Sequence, residues 1–284
     1  MRLRIREVLL ASLPQRLLTD MAGAALRHPA SRVCIPLFAK WYGVDLAEAE
    51  KPWRAYASLT EFFARRLARG SRKADADAAA IASPVDGRVA AAGEILADTL
   101  WQVKGMPYCA RELLQDAAGD ALTGGSYVTI YLAPGDYHRI HAPLAAVLRS
   151  VRHIGGTLFP VNPGGVRSVR KLFARNERVV SWFARDGGSF ALVKVGSLLV
   201  GSVRLTLCET SAPPRRSRLP GGGTSRLAAP VAVAKGDELG WFEFGSTVIL
   251  VFPPGAARID VTAGQRLRAL ETIGRWLGGR GESR

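Results

Sequence analysis

The sequence predicts an α+β protein in which a mainly antiparallel β sandwich or partly closed barrel follows an amphipathic helical segment. Three observations support this fold class. Apolar residues recur at helical spacing over the first 70 residues, short β-rich runs separated by Gly, Pro and Asp follow, and 48% of the 284 residues are hydrophobic. We expect a helical segment over residues 1–70 and a β-rich domain over residues 71–284.

The helical segment is predicted from apolar residues that recur about every four positions, with arginines between them. The first group comprises Ile5, Leu9, Leu13, Leu17 and Met21, and the second comprises Val33, Ile35, Leu37, Phe38, Trp41 and Tyr42. An apolar face with aromatic anchors and arginines is typical of helices that lie at a membrane interface. The alternative is an ordinary amphipathic helix packed on its own domain.

The start of the chain resembles a signal peptide only superficially. Pro14 and Arg16 interrupt its short apolar run, and the apolar positions continue at helical spacing instead of ending at a cleavage site. We therefore expect this segment to be retained. Ser58 and Glu61 have the spacing of a capping box, which predicts a further helix over Ser58–Leu67.

The β-rich region is predicted from runs of β-branched and aromatic residues that are bounded by turn formers. The predicted strands are Tyr127–Leu132, Ser189–Val195, Leu198–Leu207 and Thr247–Phe252. A helix is predicted over Arg111–Asp116. The stretch Ser211–Pro230 contains four arginines, no acid and many Gly and Pro residues, so we expect a mobile surface loop.

The net charge of +15 indicates an anionic partner. Nucleic acid and an anionic lipid surface both fit, and charge alone does not distinguish them. No stretch reaches the roughly 18 apolar residues expected of a membrane-spanning helix. The cysteines, at positions 34, 109 and 208, are too few and too widely spaced for a disulfide scaffold or a zinc site.

Candidate acid–base residues lie in the segment D-Y-H-R-I-H-A-P, which contains His138 and His141. The pair is a weak metal site because no third ligand is evident nearby, and no metal is expected. It suits a general base better, since histidine titrates near neutral pH and the flanking Gly and Pro residues favour a strand edge or loop. Two histidines without a catalytic role are the alternative.

Asp86 and Ser246 are the remaining candidates for catalysis. Asp86 lies in S-P-V-D-G-R-V, where Asp-Gly usually forms a turn, although a carboxylate at a strand end could orient a histidine. Ser246 follows Gly245 in F-G-S-T-V-I-L, which is more often a turn and lacks the second glycine of a G-x-S-x-G nucleophile elbow. Each residue alone is weak evidence.

Five segments taken together resemble the bacterial phosphatidylserine decarboxylase family over nearly the whole chain. In chain order they are Lys51-Pro52 with S-L-T-E-F-F-A-R-R-L, then P-V-D-G-R-V, D-Y-H-R-I-H-A-P, L-F-A-R-N-E-R-V-V and F-G-S-T-V-I-L. The last segment is the most specific, because members of this family carry Gly-Ser-Thr near the C-terminus, where the proenzyme cleaves itself.

The resemblance implies a role for each matching residue. Asp86, His141 and Ser246 match the self-cleavage triad, and His138 matches a histidine assigned to decarboxylation. Cleavage between Gly245 and Ser246 would give a β chain of residues 1–245 and an α chain of residues 246–284, which remain together as a heterodimer. A dimer of such heterodimers is left open. Ser246 would become a covalent pyruvoyl cofactor that forms a Schiff base with the substrate.

These residue types suit the chemistry. Ser246 Oγ can attack the carbonyl of Gly245, which has no Cβ to obstruct the approach, while His141 takes the proton and Asp86 orients His141. A pyruvoyl group supplies an electron sink when CO2 leaves the substrate, and His138 is assigned as the proton donor. Arg178 is a candidate contact for a carboxylate or phosphate, with an internal ion pair as an equal alternative.

The implied activity is that of a pyruvoyl-dependent carboxy-lyase that converts phosphatidylserine to phosphatidylethanolamine. We therefore expect a peripheral protein on the cytoplasmic side of the cell membrane, bound to an anionic lipid surface through its basic N-terminal segment and not to nucleic acid. Two hypotheses compete: a soluble pyruvoyl enzyme that acts on a free amino acid, and a non-catalytic protein that binds membranes or nucleic acid.

Overall fold

The structure is a computed structural model of the chain. It describes residues 7, 12, 14–103, 106–116, 122–198, 203–206, 224–225, 230–243 and 245–278. Three predicted features therefore lie wholly or largely outside the described residues: the helical positions before Pro14, the thiol at position 208 and the loop Ser211–Pro230. Within that loop, Thr224–Ser225 is described and forms a short strand instead of irregular chain.

The N-terminal segment is helical, as predicted. Its α-helices are α1 (Gln15–Arg27), α2 (Ile35–Tyr42) and α3 (Leu59–Phe63), and 3-10 turns lie at Pro29–Cys34, Leu46–Glu48 and Trp53–Ala55. Three short helices lie within the β-rich region: α4 (Ala110–Leu114), α5 (Pro163–Ser168) and α6 (Leu172–Arg175). The predicted helix near Arg111 corresponds to α4.

Helix α3 is shorter than the sequence pattern indicates, since it ends at Phe63 instead of Leu67. Ser58 caps its N-terminus as predicted, by accepting a hydrogen bond from the backbone. The carbonyl of Ala64, just beyond the helix, accepts a hydrogen bond from Arg139 Nε at 2.9 Å. Because Arg139 is distant in sequence, the pattern of residues along the helix cannot predict this contact or where the helix ends.

The rest of the described chain is mainly β-structure. The strands are β1 (Ala80–Ala82), β2 (Gly87–Glu94), β3 (Thr99–Val103), β4 (Met106–Cys109), β5 (Ser126–Tyr131), β6 (Arg139–His141), β7 (Ala146–Ile154), β8 (Arg178–Arg185), β9 (Gly188–Val195), β10 (Val203–Leu205), β11 (Thr224–Ser225), β12 (Val231–Val233), β13 (Glu238–Phe242), β14 (Thr247–Phe252), β15 (Ala257–Ile259), β16 (Arg266–Leu267) and β17 (Thr272–Trp276). The predicted strands correspond to β5, β9, β10 and β14. Among them, β10 is much shorter than expected in the described residues.

The strands form antiparallel sheets arranged as a sandwich. In the described ranges the largest sheet has nine strands, in the order β11-β7-β8-β9-β14-β5-β2-β16, with β12 also paired to β7. Two three-stranded sheets, β10-β13-β6 and β1-β17-β15, pack on one of its faces through a shared apolar core. The β3–β4 hairpin and helices α4 to α6 cover the other face. The α+β sandwich predicted from the sequence is confirmed.

Strand β14 is the centre of this arrangement and is buried at every position. Val248, Leu250 and Phe252 contribute to the core shared with the small sheets, whereas Ile249 and Val251 contribute to the core under the helices. Because both faces of the sheet are covered, the strand is continuously hydrophobic instead of alternating. A strand buried in this way holds its ends in fixed positions.

The helical segment has a small core of its own and is fastened to the β sandwich by hydrogen bonds. This core comprises Ile35, Ala39, Tyr56, Leu59 and Phe62. Arg65 Nη2 donates to the carbonyl of Gly135 at 3.0 Å, and Gln15 Oε1 accepts from the backbone N–H of Leu158 at 2.8 Å. The segment is therefore packed directly over the turn that follows β5.

Asn176 joins three parts of the β sandwich through a fully satisfied, buried amide. Its Oδ1 accepts from the Phe159 N–H at 3.0 Å and from the Thr157 hydroxyl at 3.2 Å. Its Nδ2 donates to the carbonyls of Phe159 and Gly196 at 2.8 and 2.9 Å. Only a side chain with one donor end and one acceptor end fits this site.

We predict that Asn176→Asp lowers the free energy of unfolding by about 3 kcal/mol at neutral pH, because a buried carboxylate would face two carbonyl oxygens. The deficit should shrink as the pH falls, since a protonated carboxyl can donate to one of them. Urea unfolding between pH 5 and 8 measures it. Asn162→Asp is the control, because Asn162 Oδ1 caps α5 by accepting from Gly165 and a carboxylate accepts equally well. Equal stability of the two variants would contradict this account.

Candidate active site

Ser246 lies at the entrance to the central strand β14. Its carbonyl accepts a hydrogen bond from the N–H of Leu132 at 2.9 Å, which extends the β14–β5 ladder by one residue. Side chains alternate along a strand, so Ser246 shares the face of Val248, toward the small sheet that contains β6 and β13. The side chain is 0% exposed, and its Oγ has no hydrogen-bond partner among the described residues.

His138 is brought to the Gly245–Ser246 bond by the turn between β5 and β6. A Cβ added to Gly245 would lie 4.0 Å from His138 Nε2 and 3.4 Å from the carbonyl oxygen of Leu132. Both are ordinary contact distances, so packing does not exclude a methyl group at position 245. The expected need for glycine therefore concerns the approach of the hydroxyl during reaction rather than folding.

The hydrogen bonds of His138 determine which of its ring nitrogens carries the proton. Nδ1 lies 2.8 Å from the carbonyl oxygen of Asp136, which can only accept, so Nδ1 is the protonated nitrogen. Nε2 is buried without a hydrogen-bond partner in the part of the chain that the structure describes. The neutral ring therefore presents a lone pair beside Gly245.

Burial keeps His138 neutral, since it lowers the pKa of the imidazole to about 3. The hydrogen bond to Asp136 acts in the opposite direction, and the positive charge of Arg65 reinforces the decrease. The ring of Phe63 packs against the imidazole with a centroid distance of 4.0 Å, which helps to exclude water. At physiological pH His138 is thus a proton acceptor.

His141, at the end of β6, has different partners. Its Nδ1 lies 2.8 Å from the carbonyl oxygen of Gly236, and its Nε2 lies 3.0 Å from the hydroxyl of Tyr137. His141 is therefore protonated on Nδ1 as well and accepts from the tyrosine. Burial lowers the pKa of His141 and raises the pKa of Tyr137. Among the described residues, neither ring nitrogen of His141 bonds to Ser246.

Asp86 lies close to His141 but is bonded to other groups. Its carboxylate accepts from Arg72 at 2.8 and 3.2 Å and from the backbone N–H of Ala269 at 2.6 Å. The two segments meet where the N–H of His141 donates to the carbonyl of Pro84 at 2.8 Å. Asp86 raises the pKa of His141, although burial has the larger, opposite effect. The structure thus places His138 beside Gly245, the residue before Ser246, and places His141 near Asp86 with separate hydrogen-bond partners.

Three neighbours of the site were missed by the sequence argument. The carboxylate of Asp136 shapes the catalytic turn, residues 133–138, by accepting from the N–H of Ala133 at 2.7 Å and from Arg266 at 3.0 Å. Tyr137 and Phe63 contact the two histidines, as described above. All three lie in the family-like segments. Asp136 and Tyr137 directly precede His138, and Phe63 lies in S-L-T-E-F-F, so these positions could have indicated that the residues belong to the site.

Arg178 occupies a structural position in the β sandwich. Its side chain is almost fully buried, and its guanidinium donates to the carbonyls of Leu113, Asn176 and Glu112 at 2.6, 2.9 and 2.7 Å. Burial lowers its pKa to about 10. Because its donors are already engaged by backbone oxygens, this placement argues against the substrate contact expected for Arg178.

The helical segment presents an exposed apolar face beside the catalytic turn. Leu37 and Trp41 of α2 are 62% and 78% exposed, and the other exposed apolar residues of this face are Leu17, Leu18, Met21, Val33 and Tyr42. The buried side of α2 contacts the site, because Phe38 packs on Phe63 with a centroid distance of 6.1 Å. No helix in the described ranges is both long and apolar enough to cross a bilayer.

Comparisons with known proteins point to one family. A family model described as phosphatidylserine decarboxylase matches residues 59–275, which include both histidines and Ser246. A relative from Anaeromyxobacter sp. (strain K), named phosphatidylserine decarboxylase proenzyme, is 43% identical over 271 residues, or 92% of this chain and 95% of the relative. A relative of the same name from Brevibacillus brevis is 42% identical over 246 residues, or 86% and 87% of the two chains. This chain belongs to the phosphatidylserine decarboxylase family.

Membership of the phosphatidylserine decarboxylase family confirms the resemblance drawn from the five sequence segments and the enzyme class, a decarboxylating lyase. It holds across distant bacteria, since a relative from Nitrosococcus oceani is 39% identical over 287 residues and covers 95% of this chain. The match spans the helix α3 that contacts His138 as well as the β sandwich. The phosphatidylserine decarboxylase family pattern therefore includes the junction between the two parts.

We predict that His138 makes folding stability depend on pH below neutrality. Its pKa in the folded chain lies below the ordinary value of 6.5, so the stability that the neutral ring contributes is present above that value and is lost as pH falls toward 3. Between pH 7.5 and 5, this loss should be on the order of 1–2 kcal/mol. Urea unfolding in the Ser246→Ala background, with and without His138→Gln, measures it. An unchanged pH dependence in the double variant would contradict the assignment.

Proposed function

We propose that this chain is a proenzyme that cleaves itself between Gly245 and Ser246 and then decarboxylates phosphatidylserine to phosphatidylethanolamine at a membrane surface. The observation that carries the proposal is that Ser246 Oγ and His138 Nε2 are both buried without a hydrogen-bond partner among the described residues, and that this Nε2 lies beside Gly245, the residue before Ser246. Buried hydroxyls normally have partners, so an orphaned one next to a base is typical of a reactive site and not of a simple turn. The family supplies the substrate class.

Self-cleavage uses groups of the chain itself. Ser246 Oγ attacks the carbonyl carbon of Gly245, a base takes the hydroxyl proton, and the amide C–N bond breaks as its nitrogen is protonated, which leaves an ester. Removal of the Ser246 α-proton then breaks the Cβ–O bond and frees residues 1–245 with a carboxylate end. The dehydroalanine that remains at the new N-terminus tautomerises to an imine. Water then hydrolyses the imine to a ketone, and the nitrogen leaves as ammonia. A pyruvoyl group results.

The base for self-cleavage has two candidates. The family pattern favours His141 with Asp86, and the charge of Asp86 would stabilise a protonated His141 as the acid of a triad does. The geometry favours His138, because its lone pair is unoccupied and lies beside Gly245, whereas the lone pair of His141 accepts from Tyr137. For His141 to act, the Tyr137 hydroxyl would have to turn away or relay the proton.

Residues around Ser246 suit a pyruvoyl group at this position. The backbone carbonyl of residue 246 stays bonded to Leu132, and the Nε2 of His138 offers the polar neighbour that the site requires. Such a group supplies an electron sink for the carbon that loses CO2. Once His138 is protonated, it can donate a proton to that carbon. An anionic substrate in the buried site would raise the pKa of His138 and so favour its protonated form.

The exposed apolar face of α1 and α2 supports action on a membrane lipid. A diacyl lipid leaves the bilayer only at a cost of about 0.8 kcal/mol for each CH2 exposed, so the enzyme must approach the lipid. Helix α2 is packed on the catalytic turn through Phe38, which contacts Phe63 of α3, and through the backbone of Tyr42 beside Gly135. Docking of this face on a bilayer would therefore bring the residues around Ser246 close to the membrane surface.

The family pattern, in which His141 is the base for self-cleavage and His138 serves decarboxylation, predicts distinct variants. His141→Ala should slow self-cleavage by about 100-fold or more and accumulate the uncut chain, since loss of a general base typically has this effect. His138→Ala should still cut but decarboxylate poorly. Intact mass resolves residues 1–245 and 246–284, and Ser246→Ala gives the uncut reference. The reverse pattern would assign the base to His138, and equal defects in both would refute the division. A wild-type chain that stays uncut would overturn the proposed function.

The membrane-facing role of α2 can be tested without removing its packing. We expect Leu37→Ser with Trp41→Ser to weaken binding to phosphatidylserine-containing vesicles more than tenfold, because two exposed apolar side chains lose their burial in lipid. Leu96→Ser with Leu277→Ser is the matched control, since these residues are similarly exposed but lie in the β-rich region. Vesicle sedimentation measures both. Unchanged binding of the α2 variant would show that another surface docks.

A further inference from the structure

A second polar site lies next to the catalytic turn. A cleft of about 510 Å³ opens between the helical segment and the small sheet, and its lining includes Tyr56, Thr60, Arg65, Arg66, Arg139 and Trp241. It adjoins the site through two direct contacts. Arg65 hydrogen-bonds the carbonyl of Gly135 in the catalytic turn, and Arg139 is the residue that follows His138.

Arg65 is the unusual member of this lining. Its side chain is 5% exposed, yet among the described residues neither Nε nor Nη1 has a hydrogen-bond partner and no carboxylate forms an ion pair with it. Only Nη2 is engaged, by Gly135, while the guanidinium packs over the ring of Phe62 at 5.1 Å. Asp86 and Asp136 attract this charge only through space, without an ion pair. A buried cation that lacks an ion pair is costly, so this position is explained best by a bound anion.

The other basic residues around the cleft already have carboxylate partners. Lys51 pairs with Glu61 at 2.6 Å, and Arg66 pairs with Glu238 at 3.5 Å. Arg139 bonds to the same Glu238. Arg65 is therefore a basic residue of the described cleft lining that has no carboxylate at ion-pair distance.

Two hydroxyl groups of the cleft are also unsatisfied. Tyr56 Oη and Thr60 Oγ1 are buried and have no hydrogen-bond partner in the described chain. Burial raises the pKa of Tyr56, so its hydroxyl stays a donor at neutral pH. Two guanidinium nitrogens and two hydroxyls together match an anion that has several acceptor oxygens, which is the donor set that a phosphate group needs.

We infer that Arg65, with Tyr56 and Thr60, binds the phosphodiester of the lipid headgroup and so holds the substrate amine at Ser246. The inference rests on the proposed function. In a phosphatidylserine headgroup one CH2 and one oxygen separate the phosphorus from the amine-bearing carbon, so an amine at Ser246 requires a phosphate site close to the catalytic turn. Arg27 of α1 lines the same cleft, which connects it to the helix that carries Leu17 and Met21.

The test compares Arg65→Gln with Arg69→Gln in cut, pyruvoyl-containing enzyme on phosphatidylserine in mixed micelles. Arg69 is exposed and outside the cleft lining, so it controls for the loss of one positive charge. Arg65→Gln should raise KM roughly tenfold to hundredfold, as expected for lost charge-assisted hydrogen bonds, with a smaller change in kcat. Arg65→Lys should recover part of the loss, because lysine keeps the charge without the planar fork.

Soluble inhibitors separate the phosphodiester from the other anion of the headgroup, the serine carboxylate. Glycerophosphoethanolamine carries the phosphodiester alone, and free serine carries the carboxylate alone. In Arg65→Gln the inhibition constant of the first should rise at least tenfold while that of serine is unchanged. A rise for serine alone would assign Arg65 to the carboxylate and overturn the inference.

Independent readouts keep this inference distinct from the proposed function. Wild-type cleavage and turnover test the function, whereas an Arg65→Gln enzyme that is fully cut by intact mass and has a wild-type KM would refute the phosphate site alone. Should Arg65→Gln fail to fold, Thr60→Val removes one donor at nearly constant volume. That variant should raise KM several-fold, and an unchanged KM would again count against the site.

Discussion

The pairing of β14 between β5 and β9 is the constraint on which the site depends. Both edges of the strand are hydrogen-bonded and both faces are buried, so the residue at its entrance cannot shift. Ser246 takes its place from that register, and the turn after β5 carries His138 to the neighbouring peptide bond. Helix α3 then closes the site by placing Phe63 on the imidazole. The geometry at the Gly245–Ser246 bond is thus imposed by the sandwich rather than by a flexible loop.

Burial gives the two histidines different capacities although both carry the proton on Nδ1. His138 has an open lone pair in a dry site, and His141 has the same nitrogen engaged by a tyrosine. Self-cleavage needs a neutral histidine that accepts a proton, whereas decarboxylation needs a protonated histidine that donates one. The proposed anion site at Arg65 connects these needs, because a bound phosphodiester would offset the positive charge that disfavours a protonated His138.

Hydrophobic periodicity predicts much of the fold, and the family-like segments predict the candidate site residues. The strand Thr247–Phe252 was predicted to the residue because a continuous apolar run bounded by Gly-Ser and Pro-Pro has few alternatives. The end of α3 was not, since a contact with Arg139 lies beyond the reach of periodicity. For Arg178 the sequence leaves a ligand contact and an internal role open, because it does not reveal that backbone carbonyls accept from the guanidinium. Arg65 was overlooked for the converse reason: only packing shows a buried charge without a partner.

The strands beyond Ser246 are distributed between separate sheets, since β14 and β16 belong to the nine-stranded sheet and β15 and β17 to a three-stranded one. A cut before Ser246 would leave the short chain interleaved with the long one, with its ladder hydrogen bonds unaltered. The number of molecules changes while the fold does not. Folding before the cut is a first-order event, whereas recovery of the cut enzyme from the denatured state requires two chains to meet and so depends on concentration. Such a protein is assembled once, and its lifetime is then set by how slowly it unfolds.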